Sequence, residues 1–93
     1  MSVVTSLASA TTTRVQLGTG KTTRRQLIVC PDASVTAYIG GSSVTAANGY
    51  PLEPGDSPFE VYQGWSGDQA PAQSFYAITA AGTASLRVLE LVY

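Results

Sequence analysis

The sequence has no histidine, a single cysteine and few charges, and each shortage closes off a class of function. Without histidine, the side chain most often used as a general base near neutral pH is missing, and a serine nucleophile lacks its usual proton acceptor. A lone Cys30 rules out an intrachain disulfide and leaves a thiolate zinc site without its other ligands. It is expected to pack as a small hydrophobe. No apolar run approaches the roughly 18 residues of a spanning helix. The first residues lack a basic stretch followed by an apolar one, so the chain is expected to be made and kept inside a cell, or released by lysis.

Charged residues make up 12% of the chain, about half the share of an average soluble domain. Threonine, serine, alanine and glycine fill the gap, and the many β-branched residues favour pleated sheet over helix. Ninety-three residues make one domain, and a body of this size buries only about 60–65% of its unfolded surface. A small fold without metal or disulfides often leans on neighbouring subunits, so self-association is expected.

The charges are unevenly placed. Arg14, Lys21, Arg24 and Arg25 precede Asp32, Glu53, Asp56, Glu60, Asp68 and Glu90, and only Arg87 breaks the division. A basic edge facing an acidic edge on the next copy would orient head-to-tail or ring assembly. The plainer alternative is a set of solvated loop charges, since surface pairs contribute little.

Residues 1–13 are small and hydroxylated around the apolar Val3, Val4 and Leu7. They read as an extended N-terminal arm, either an edge strand or a segment that reaches over a neighbour. The body is then 14–93. Val15 and Leu17 alternate with Arg14 and Gln16 as in a half-buried strand. The apolar run from Arg25 to Cys30 predicts a strand buried on both faces, and the two strands suggest a hairpin with a basic tip around Lys21. Val35, Ala37 and Ile39 mark a third strand ending at Gly40-Gly41. Asn48-Gly49 is the strongest turn signal, of the kind that closes tight two-residue hairpins.

Pro51, Pro54-Gly55 and Pro58 exclude helix from the next stretch. Phe59 to Tyr62 reads as a short strand. The irregular segment from Gln63 to Gln73 holds Trp65 and is long enough to suspect function. Two further strands run through Phe75 to Ile78 and from Ser85 to Tyr93. In the last, Leu86, Leu89 and Val92 also fit a helix stripe, but Val88 and the turn at Gly82 favour strand. Its apolar residues at both parities imply a central strand or one covered by a partner. Closely spaced short strands of this kind predict an all-β fold, a small antiparallel β-sandwich of jelly-roll-like or Greek key type.

Motifs with chemistry are weak. Gly18-Thr-Gly-Lys-Thr-Thr23 resembles the end of a phosphate-binding loop, but Val15 stands where the first glycine belongs and a strand follows instead of a helix. Gly55-Asp56-Ser57 is turn chemistry without a base. The carboxylates are scattered without a calcium-loop pattern. The basic cluster of Arg14, Lys21, Arg24 and Arg25 lacks the interleaved aromatics of a single-strand binder, and the chain is slightly acidic. No enzyme, cofactor, metal, nucleic acid or membrane is therefore expected. Tyr50, Tyr62, Trp65, Tyr76 and Tyr93 are weighed toward interface contact, because Tyr and Trp are enriched at binding hot spots, though some are simply core. Trp65 fits interface contact and burial against its own sheet equally well.

The stretch from Val35 to Ser57, with Tyr-Ile-Gly-Gly, Asn-Gly-Tyr-Pro-Leu and Pro-Gly-Asp-Ser, resembles a pattern in small structural proteins of tailed bacteriophages. So does the ending from Phe75 to Glu90. Together they span about half the chain. The resemblance implies a β-sandwich virion protein of capsid decoration, cement, head-fibre or tail type, in which a short strand passes through Val44-Thr45. It carries no catalytic residues, and Gly40, Gly41, Asn48, Gly49, Pro51 and Gly55 match as turn formers. The expected role is a decoration or cement protein on the capsid surface, assembled in the host cytoplasm. It would be a homo-oligomer, with a trimer favoured, and would bind the major capsid protein. The alternative is a tail or fibre component that binds another tail protein or a host glycan. Interface candidates are Val3, Val4, Leu7, Arg14, Lys21, Arg24, Arg25, Tyr62, Trp65 and Tyr93.

Overall fold

In the last strand every second residue, Ala84, Leu86, Val88, Glu90 and Val92, is buried, and those between turn outward. This is the period of a sheet with one face on a core. The computed structural model describes residues 2–18, 24–62 and 74–92, with the backbone alone at Ser2, Arg24, Arg25 and Tyr62. These residues form eight strands and no helix: β1 (Ser2–Ala10), β2 (Val15–Leu17), β3 (Arg24–Cys30), β4 (Ala37–Gly40), β5 (Tyr50–Leu52), β6 (Phe59–Tyr62), β7 (Phe75–Ile78) and β8 (Ala84–Val92).

The strands make two four-stranded sheets, ordered β1-β8-β3-β6 and β2-β7-β4-β5, and every pairing is antiparallel. First pairs with last, second with seventh, third with sixth and fourth with fifth. A ribbon doubled at its midpoint and rolled so that alternate pairs fall in opposite sheets gives this order, the jelly roll. The expected all-β sandwich is what forms.

Small residues let the layers approach. Ala10, Ala37, Ala77 and Ala84 have no exposed surface, and they interleave with the equally buried Leu17, Leu27, Leu86, Val29 and Val61. Each larger side chain contributes about 1.5–3 kcal/mol by leaving water. Two polar residues pin the corners. Thr79, buried, donates its N–H to Thr11 O at 2.8 Å and its hydroxyl to Gly82 O at 2.8 Å, which joins the bend after β1 to the turn before β8. Asp32 accepts from Ser34 N at 2.9 Å, Val35 N at 3.0 Å and, across the chain, Ser85 N at 2.9 Å.

Several sequence expectations change. Of the two readings of the N-terminal segment, the edge strand of the sandwich is the one that forms. Ser2 to Ala10 pair with Val92 to Ala84 without interruption, and Ala8 and Ala10 enter the core. The hairpin expected around Lys21 does not form: β2 lies in one sheet and β3 in the other. Residues 19–23, which hold Lys21 and most of the phosphate-loop-like stretch, lie outside the described residues.

β3 buries only one face. Leu27 and Val29 turn inward, while Ile28 and Cys30 are half-buried on the outside. Val44 and Thr45 form no strand; Val44 plugs the loop between β4 and β5 from the inside.

Asn48-Gly49 ends that long loop instead of forming a two-residue hairpin. Thr45 N donates to Asn48 Oδ1 at 2.8 Å, and Asn48 N reaches Thr45 Oγ1 at 3.3 Å. Gly49 is required by close approach: a methyl there would sit 2.6 Å from Tyr38 Cβ and 2.9 Å from Val44 Cγ2. Pro51 lies in β5, an edge strand, where a missing N–H is tolerated.

Candidate interaction surface

Each strand of the β1-β8-β3-β6 sheet has an outward row, and the register stacks these rows across the sheet. Val3 stands beside Leu91 and then Gln26; Thr5 beside Leu89, Ile28 and Glu60; Leu7 beside Arg87 and Cys30. Val3 is 64% and Leu7 74% exposed, while Leu89, Leu91, Ile28 and Cys30 are half-buried. Between β1 and β3 the face dips into a groove of 450 Å³, lined by Thr5, Leu7, Ile28, Cys30, Arg87 and Leu89. An apolar floor with one cation on its rim is built for contact with another surface, because such exposed patches mark interaction sites.

β1 is an edge of its sheet, and it contains neither charge nor proline. Among the described residues the other three edges are short: β6 has four residues, and β2 and β5 have three each. Proteins ordinarily blunt exposed edges by shortness, charge or proline. Here three edges are blunted and one is not.

Of the expected site residues, the structure brings Val3 and Leu7 together on this surface, while Val4 points inward from the same strand and is half-buried. Arg14 is exposed just before β2, in the other sheet, beside Thr12, Thr13 and Thr45. Arg24 and Arg25 open β3, where the pairing with β8 shifts register. Tyr62 ends β6 opposite Gln26. Lys21, Trp65 and Tyr93 lie outside the described residues. Ile28, Cys30, Arg87 and Leu89 were not among the sequence candidates. The signal for three of them was present, since β3 and the last strand carry apolar residues at both parities.

The acidic edge expected for ring assembly is dispersed. Glu90 faces inward with no exposed surface, and Glu60 accepts from Gln26 Nε2 at 3.2 Å. Asp32 is occupied by its own loop. The Ser34 N–H first, then the Ser85 N–H, hold its carboxyl below the usual range, with Val35 and the Ser34 hydroxyl adding to this and partial burial opposing it. Among the described residues no three His, Cys, Asp or Glu side chains gather as metal ligands.

A second, smaller cluster sits at the opposite side of the sandwich. Phe59 packs 5.9 Å from Phe75 and 5.8 Å from Tyr50, centroid to centroid. Tyr50 is 62% exposed.

The chain matches no protein family, no curated protein and no solved structure closely enough to establish kinship.

Proposed function

We propose that this chain is a non-catalytic structural protein of a tailed-phage virion, a decoration or cement protein that sits on the capsid surface and ties neighbouring major capsid subunits together. The observation that carries the reading is the apolar outer face of the β1-β8-β3-β6 sheet, in which Leu7, Ile28, Cys30 and Leu89 surround a groove with Arg87 at its rim. A face of that kind suits a protein surface better than a polar metabolite. The resemblance of residues 35–57 and 75–90 to phage structural proteins supplies the partner. Many weakly bound copies on a lattice add up to firm attachment.

The test compares particles with and without the protein for DNA release on heating or chelation. Earlier release from particles lacking it is expected, and equal release would remove the clamping role. Leu89→Glu places a charge in the groove floor without touching the core, so it is expected to abolish retention on particles while the protein stays folded.

The second reading is a tail or fibre component that binds a host glycan. It is favoured by Tyr50, exposed beside Pro58 and Phe59, because flat aromatic faces are what sugars stack on. Labelled particles in the electron microscope separate the two, with label over the head in one case and at the tail in the other.

A further inference from the structure

We propose that the edge of β1 is a self-association seam. Two copies pair β1 with β1, antiparallel, about a two-fold axis at Thr5, and join their sheets into one of eight strands. The inference stands apart from the virion reading and needs only the geometry of the edge.

Backbone parity comes first. In an antiparallel strand alternate residues send both N–H and C=O to one side. Ser85 N–H reaches Asp32, on the β3 side of β8, at 2.9 Å, so the odd residues of β8 face β3 and the even ones face β1. Ser2 to Ala10 pair with Val92 to Ala84 in unbroken register. The even residues of β1 therefore bond to β8, and Val3, Thr5, Leu7 and Ser9 hold their backbone donors and acceptors out from the edge.

The same odd residues carry the exposed apolar side chains. Val3 and Leu7 are two of the three large hydrophobics left exposed among the described residues. In a two-fold antiparallel pair the numbers of facing residues have a constant sum. An axis at Thr5 places Val3 opposite Leu7 of the second copy, Leu7 opposite Val3, and Thr5 opposite Thr5. All three are rungs in which outward-facing backbone groups meet. Shifting the pairing by one residue would set an odd residue against an even one and lose the bonds. Centring it on Leu7 would leave Val3 without an apolar neighbour.

Charge and length agree. β1 has no charged residue, so the register opposes no like charges. Nine residues at about 3.4 Å each run nearly the length of a molecule 35 Å long. A ring would need β1 to meet a different edge, and the other edges have only three or four residues. The two-fold seam therefore fits better than the three-fold one expected from the sequence. A single strand-to-strand seam buries less than the roughly 1,200 Å² of standard interfaces, so the dimer is weak and its population follows concentration.

Sedimentation velocity of the whole chain from about 10 μM to about 1 mM is expected to show a monomer–dimer equilibrium, with dissociation in the micromolar range or weaker. Thr5→Pro removes an outward donor at an edge position where proline is tolerated. It is expected to weaken the dimer by about tenfold or more while circular dichroism and dilute thermal stability stay near those of the parent. Leu7→Lys is expected to do the same by charging the seam.

On a Cys30→Ser background, Val3→Cys and Leu7→Cys proteins are each expected to resist a short thiol crosslinker and to form a crosslinked pair when mixed. A monomer throughout the range, a trimer, a dimer indifferent to folded Thr5→Pro and Leu7→Lys proteins, or equal crosslinking of the unmixed variants would each overturn the seam. So would an edge that accepts strands only from a different protein.

Discussion

Replacing Gly18 by alanine tests how the core accommodates Glu90, the one fully buried carboxylate among the described residues. Gly18 ends β2 with φ of 72°, in the left-handed region that costs an L-residue about 1–2 kcal/mol. The new methyl would also lie 2.5 Å from Glu90 Cδ and 2.6 and 2.7 Å from its two oxygens. On the surface a glutamate would swing aside, but Glu90 has no exposed surface. Moving its carboxylate disturbs buried hydrogen bonding, at about 1–3 kcal/mol. Together the terms come to about 2–5 kcal/mol, a large part of the roughly 5–14 kcal/mol expected for a domain of this size. At about 4–8 °C per kcal/mol, Tm should fall by at least about 8 °C.

A double-mutant cycle with Glu90→Ala separates the two costs. Once the carboxylate is gone, Gly18→Ala should cost only its backbone term, and the coupling should be about 1 kcal/mol or more. Thermal and urea unfolding of the four proteins measure it. An unchanged Tm for Gly18→Ala, or an equal cost in both backgrounds, would refute the reasoning.

Three further outcomes follow from the packing and hydrogen bonding. Gly49→Ala should lose about 1–3 kcal/mol through overpacking against Tyr38 and Val44, measured by urea unfolding. Asp32 has its carboxyl pKa lowered by native backbone donors. Its contribution is therefore complete above the unfolded value of about 3.9 and is lost as pH falls through the lower folded value. Asp32→Asn should accordingly be less stable than the parent at pH 6, with the gap closing toward pH 2 in a series of Tm measurements. Deleting residues 2–10 should abolish cooperative unfolding rather than release a folded remainder, because it strips β8 of its partner and removes Ala8 and Ala10 from the core. A truncated chain with a sharp melt would contradict that.

Much of the fold was legible in the residues. Alternation placed Val15 to Leu17, Ala37 to Ile39 and Phe59 to Val61, Val88 with the turn at Gly82 placed the last strand, and glycines and prolines marked where strands break, though not which strands the breaks join. The surface was legible only in part. Leu89 and Leu91 standing out of phase with Leu86 and Val88 suggested a central or covered strand, and β8 is central with an apolar outer row. Val3 and Leu7 were candidates for contact, but within an arm. Glu90 stands in phase with Leu86, Val88 and Val92, but its charge argued against full burial. Its carboxylate occupies the space a side chain at Gly18 would need, near the other end of the chain.

By itself, then, the sequence determined that the chain would be pleated and where most of its strands would break. Those properties follow from each residue and its nearest neighbours. Only the tertiary structure decided which strands lie side by side, that β2 and β3 part into opposite sheets, and that Ser2 to Ala10 form an unblunted edge with Val3 and Leu7 facing out. Pairing depends on how small residues far apart in sequence let two layers meet, and a local pattern does not encode which partner closes the gap.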